Sequence, residues 1–172
     1  YGTSKLSNFK ILNVLQKESY SKFDLKISLP GAKENFIKNI KIPLIGLHNI
    51  RNSTAAAAVA FSVGIPIKII KKGLEKFSGV QRRFTKVFSF QNVSFFDDYA
   101  HHPTEITEVL DGVREVYKNK EIVCIFQPHR ISRLKNLHEE FSKSFKKANT
   151  IILCPIYKAG ENIKLGFSYN NF

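Results

Sequence analysis

Three short apolar runs in the second half of the chain each end in a polar loop, and this order most restricts the fold. Val93-Ser94-Phe95-Phe96 runs into Asp97–Ile106, Ile122–Phe126 into Gln127-Pro128-His129-Arg130, and Ile151–Cys154 into Pro155–Glu161. Runs this short, bounded by turn residues, read as buried strands. Between them, Ile106, Val109, Leu110, Val113 and Tyr117 recur at helical spacing, as do Leu134, Leu137, Phe141 and Phe145. Strands separated by helices join by right-handed crossovers and lie parallel. The fold class is therefore α/β, and all three loops should leave the same sheet edge, where open α/β sheets bind ligands. His101, His102, His129, Arg130, Arg133, Tyr157 and Glu161 can then converge.

The first loop is the most crowded. Asp97-Asp98-Tyr99-Ala100-His101-His102 gathers two carboxylates, a phenol and two imidazoles. Pro103 suits a first helical position, with Glu105 in the first turn. Ser132 is a candidate N-cap for the helix after the second loop.

The first half reads differently. Phe9–Leu15, Phe23–Leu29 and Lys38–Leu44 have strand-like apolar content, and Pro30-Gly31 is a turn signal. Ala55–Phe61 is helix-prone, Gly64 suits the C′ position that ends it, and Pro66 starts a second helix through Ile69, Ile70, Leu74 and Phe77. A boundary is expected near Gly79, giving domains 1–78 and 79–172, with strands over Lys86–Phe90 and Val93–Phe96 opening the second.

Composition excludes several classes. The chain has 172 residues, 43% of them hydrophobic, which is enough for a real core. No apolar run approaches the roughly 20 residues of a membrane span, and no secretory signal pattern opens the chain, so a cytoplasmic location is expected. Cys124 and Cys154 fall inside expected strands and read as buried, reduced thiols. The formal charge of +13 invites nucleic acid as a partner. Its lysines are spread along the chain, however, and no nucleic-acid motif appears, so none is expected. Adjacent His101 and His102 diverge and lack a third ligand at fixed spacing, so no metal site is assigned. His48 and His138 read as structural. The absence of methionine, and an end over Gly166–Phe172 without a closing helix or strand, suggest a fragment.

Five motifs in order carry a family resemblance. They are Gly46-x-His48-Asn49-x-x-Asn52-x-x-Ala55-Ala56, Gly79-Val80-x-Arg82-Arg83-Phe84, Asp97–Ile106, Phe126-Gln127-Pro128-His129-Arg130-x-x-Arg133 and Tyr157-x-Ala159-Gly160-Glu161. Together they resemble the Mur ligase family, within it the alanine-adding branch. The tripeptide-recycling branch shares the double histidine but differs at the second loop.

The resemblance implies the end of a central ATP-binding α/β domain, followed by a truncated Rossmann-like C-terminal domain with a mostly parallel sheet. It implies an ATP-dependent ligase in peptidoglycan synthesis that adds L-alanine to UDP-N-acetylmuramate through an acyl phosphate. Asn49 and Asn52 would meet adenine, with helix capping as the other reading. Arg83 would contact the ATP phosphates and act in catalysis with His101, and Asp98, or its neighbour Asp97, would meet the ribose. Tyr99, His101, His129, Arg130 and Arg133 would hold the muramoyl substrate. Magnesium ligands would lie outside this sequence, which has no G-x-x-x-x-G-K-[ST] loop. A non-catalytic, nucleotide-binding relative stays open on that ground. Oligomeric state is unreadable.

Overall fold

A computed structural model describes residues 1–162, so the tail Gly166–Phe172 lies outside the described residues. The chain divides into two compact units, Tyr1–Gln81 and Arg82–Phe172.

The first unit opens with an antiparallel meander of β1 (Phe9–Lys17), β2 (Tyr20–Ile27) and β3 (Asn35–Ile42), with β2 central. Along β2 every second side chain is buried: Ser21, Phe23, Leu25 and Ile27. That period of two puts one face on the core. The register slips between Leu12 and Leu15 on β1, and opposite Phe23 and Leu25 on β3, which marks a bulge on each side of β2. Helices α1 (Leu47–Ser62) and α2 (Ile67–Lys76) follow, and Ile50, Ala57 and Ile70 join the strands' core. Gly64 follows the C-cap Val63 at φ 84, where a glycine is least strained. The apolar stripe expected of α2 is narrower than read. Ile70 is buried, but Ile69 is exposed and Phe77 lies just past the helix, half exposed.

In the second unit β4 (Thr85–Phe90) and β5 (Val93–Asp97) form an antiparallel hairpin. Gln91 and Asn92 connect them at φ 44 and 65, the pair of left-handed residues that a type I′ turn requires. Then come α3 (Pro103–Val116), β6 (Val123–Phe126), α4 (Ile131–Asn136), α5 (His138–Ser144) and β7 (Thr150–Leu153). Ile106 and Leu110 of α3 meet Phe126, Leu134, Phe141 and Phe145 in the core.

The α/β class holds, with differences in detail. Among the described residues, β6 and β7 are the one parallel pair of strands, extended by a parallel bridge between His129 and Tyr157, and β5 pairs antiparallel with β4. Its tight turn closes that local pairing. Nor is β5 the buried strand its composition suggests: Val93 is 53% and Phe95 40% exposed. The hairpin's aromatics stack on each other instead, Phe88 on Phe95 at 4.2 Å and Phe84 on Phe96 at 4.4 Å between ring centroids. The helix expected through Leu134 and Phe145 breaks at Leu137, φ −120, into α4 and α5. Cys124 and Cys154 are in no disulfide among the described residues, and both are only half buried.

Candidate functional site

The loop after β5 is held by its own carboxylates. Asp98 accepts Phe84 N–H on Oδ2 and Ala100 N–H on Oδ1, both at 2.7 Å. Turn capping, the alternative reading of this residue, is thus part of its structure, and a ligand would use the lone pairs that remain. Asp97 pairs instead with Arg82 Nε at 3.4 Å. The Arg82 guanidinium lies 4.6 Å above the Tyr99 ring, and its carbonyl accepts Tyr99 N–H.

Helix α3 begins with a capping box. His102 is the N-cap and its Nδ1 accepts Thr104 N–H, while Pro103 follows at the first helical position. His102 therefore has a structural task. Glu105 accepts His101 N–H at 2.9 Å and His102 N–H at 3.2 Å. It also lies 3.5 Å from Arg83 Nη1 and 3.6 Å from His101 Nδ1. Burial raises the Glu105 pKa. The His101 N–H bond, the His101 charge, the His102 N–H bond and the Arg83 charge outweigh that, so the carboxyl stays below its ordinary range.

The three loops do converge within this unit. The His101 ring lies 5.3 Å from Tyr99 and 6.1 Å from His129, and His129 lies 5.3 Å from Tyr157. His101 Nδ1 is 2.9 Å from the Tyr99 carbonyl. A carbonyl only accepts, so Nδ1 carries the proton and Nε2 is left for a ligand. His129 Nδ1 is buried with no hydrogen-bond partner among the described residues. Desolvation, then the charges of Arg133 and Arg130, push the His129 pKa below 6.5. Arg133 Nη1 reaches the His129 carbonyl at 3.4 Å, and Arg130 is exposed.

Ser132 is not an N-cap. That position belongs to Arg130, whose φ of 72 lies in the left-handed region. Ser132 sits inside α4 and donates both its N–H and its hydroxyl to Glu161. Arg82 and Phe84, on either side of Arg83, also have positive φ, 59 and 47. Strained non-glycine backbone of this kind collects at working sites.

Asn49 and Asn52 belong to the first unit. Gly46 is the N-cap of α1 and makes no side-chain cap. Asn49 donates to the Ile45 carbonyl at 2.7 Å, a bond of the helix start, whereas Asn52 is exposed in the second turn, where it caps nothing. His48 packs on Gly46: a Cβ there would lie 2.5 Å from its ring. Glu105 and Arg82 are the contacts that sequence reasoning did not assign. The capping-box spacing from His102 to Glu105 was the available signal for the first. No helix among the described residues is long and apolar enough to cross a membrane.

Comparison with known proteins gives this geometry its context. UDP-N-acetylmuramate–L-alanine ligase of Pelagibacter ubique is 66% identical over all 172 residues, which span 37% of its length. The ligase of the same name from Bartonella quintana is 44% identical over 97% of this chain and 35% of its own. The crystal structure of the Thermotoga maritima UDP-N-acetylmuramate–alanine ligase superposes with a TM-score of 0.72 at 29% identity, covering 90% of this chain and 33% of that one. Folylpolyglutamate synthetase of Lactobacillus casei, 18% identical over 87% of this chain and 35% of its own, shares the fold with a TM-score of 0.62. The family described as Mur ligase, glutamate ligase domain, matches residues 82–168, half of the sequence, and the chain belongs to the Mur ligase family.

Proposed function

We propose that this chain is part of a cytoplasmic, ATP-dependent ligase that joins L-alanine to the muramoyl carboxylate of UDP-N-acetylmuramate. The observation that carries the reading is 66% identity over the whole chain to a ligase of that name. The loop cluster of the second unit supplies chemistry that fits it.

A carboxylate is a poor electrophile, so the reaction must activate it. Phosphoryl transfer from ATP gives an acyl phosphate and ADP. The amine then attacks the acyl carbon, gives up a proton, and phosphate departs with the C–O bonding pair. Such catalysis rests on positioning and on stabilising phosphoryl charge. Arg83 fits the phosphate role: its guanidinium is half exposed, and its pair with Glu105 uses one of its nitrogens. Arg130 and Arg133 would neutralise the anionic substrate, Tyr99 would line its path, and His129 would offer a neutral imidazole. His101, with its proton held on Nδ1, keeps Nε2 for exchange with the reacting groups. Asn49 and Asn52 are assigned to adenine, and Asp98 to the ribose.

Magnesium would neutralise phosphate charge. The family resemblance assigns its ligands to a part of the central domain outside this sequence. In the complete ligase, Arg130→Ala and His101→Ala should each lower kcat/KM for UDP-N-acetylmuramate about 100- to 1,000-fold. Phosphate release with ATP, UDP-N-acetylmuramate and L-alanine measures this, and wild-type turnover in either variant overturns the site.

A further inference from the structure

The third loop carries a motif, Tyr157-x-Ala159-Gly160-Glu161, to which the reaction above gives no task. It folds as a tight turn. Ala159 and Gly160 have φ 52 and 81, and Glu161 N–H returns to the Lys158 carbonyl at 3.1 Å. Two consecutive left-handed residues closed by such a bond make a type I′ turn. Glycine takes that conformation freely and alanine does not, so the chain accepts strain at Ala159.

The turn delivers one carboxylate to one place. Glu161 Oε2 accepts Ser132 N–H at 2.9 Å, and Oε1 accepts the Ser132 hydroxyl at 2.5 Å. These bonds from Ser132, with a further one from Ile131 N–H and the Arg130 charge, hold the Glu161 pKa below its ordinary range against partial burial. The same loop grips the segment just before. Arg130 N–H donates to the Tyr157 carbonyl and Tyr157 N–H to the Pro128 carbonyl, both at 2.9 Å. Arg130, at φ 72, is thus caught between a bond to Tyr157 on its own nitrogen and the Glu161 anchor two residues on.

We infer that Glu161 is a positioning residue: by clamping Ser132 it holds the start of α4 in the strained geometry that presents Arg130 and Arg133 to the anionic substrate. This rests on the substrate role proposed for Arg130. The carboxylate touches no substrate itself. It replaces the N-cap that Arg130 cannot provide, and so fixes the backbone from which two guanidinium groups extend.

The test is steady-state kinetics on the complete ligase. Glu161→Ala should raise KM for UDP-N-acetylmuramate about tenfold, the usual consequence of losing charge-assisted bonds, while KM for ATP stays within about twofold. Ser132→Ala should raise the same constant, and the double variant should be no worse than Glu161→Ala alone, because both break one clamp. Glu161→Gln keeps an acceptor and should recover most of the loss. Equal rises in both KM values would reduce Glu161 to a general structural role and overturn the inference. So would an unchanged KM for UDP-N-acetylmuramate in Ser132→Ala, which decides the matter if Glu161→Ala does not fold. Arg130→Ala separates the two levels. If it raises KM for UDP-N-acetylmuramate and the Glu161 variants do not, only the clamp fails. If it has no effect, the substrate reading fails and the clamp falls with it.

Discussion

The carboxylate of Glu105 accepts two N–H groups at the start of α3 and sits between Arg83 and His101. Its first duty is to the helix, whose leading N–H groups have no partner inside it. Glu105→Ala should lower the stability of the second unit by about 1 kcal/mol, the usual cost of a lost cap, as a fall in urea midpoint. The pH dependence follows from the depressed pKa. A carboxyl whose folded value lies below its unfolded one contributes stability above the unfolded value and loses it as pH falls through the folded one. The gap in midpoint between wild type and Glu105→Gln should therefore be widest near neutral pH and close below about pH 4.5, the ordinary value. A gap that widens in acid would contradict the assignment. The first-turn position of this residue was legible, since acidic residues favour helix starts. Its reach to Arg83 was not, because that depends on how the chain before β4 returns to the loop after β5.

At the scale of elements, Asp24 on β2 explains how the meander keeps its shape. One oxygen accepts Asn39 N–H at 2.7 Å and the other the Asn13 amide at 2.8 Å. Asn13 and Asn39 are the left-handed residues of the two bulges, at φ 53 and 55. Bulges bend a strand and increase its twist, and one side chain on the central strand ties both. The Asn39 N–H bond, then the Asn13 bond, lowers the Asp24 pKa. Asparagine tolerates this backbone and a β-branched residue does not. Asn39→Val should cost the first unit about 1–2 kcal/mol, read as a lower denaturation midpoint, whereas Asn39→Gly should cost less. Equal losses would place the cost in the side chain rather than the backbone. Apolar content revealed the three strands, because a strand that packs one face on a core must carry apolar side chains. The bulges left no such trace, since a slip of register changes pairing without changing composition. The Gln91-Asn92 turn stayed hidden for a related reason: it has the backbone of an Asn-Gly turn without the glycine that announces one.

At the scale of the molecule, much of the candidate site could be read because chemistry and topology agreed. Loops that follow strands share an edge, and Tyr99, His101, His129 and Tyr157 do come together. What could not be read was the sheet beneath them, since β5 satisfies its hydrogen bonds with β4 before any longer-range pairing. The cores follow the same logic of locality. Phe23, Leu25, Ile40 and Ile50 belong to one buried cluster, and Ile106, Phe126, Leu134 and Phe141 to another. Each cluster is drawn from its own unit, so each should melt with its own unit. Phe23 and Phe141 are almost wholly buried, at 0% and 1% exposure. Phe→Ala at such a site removes about 3–5 kcal/mol. Phe23→Ala should therefore shift the unfolding of residues 1–81 and leave amide exchange in α3 and α5 unchanged, while Phe141→Ala should do the reverse. Hydrogen exchange resolved by peptide under native conditions measures both. Protection lost in both units from either substitution would show that the two cores open as one cooperative block.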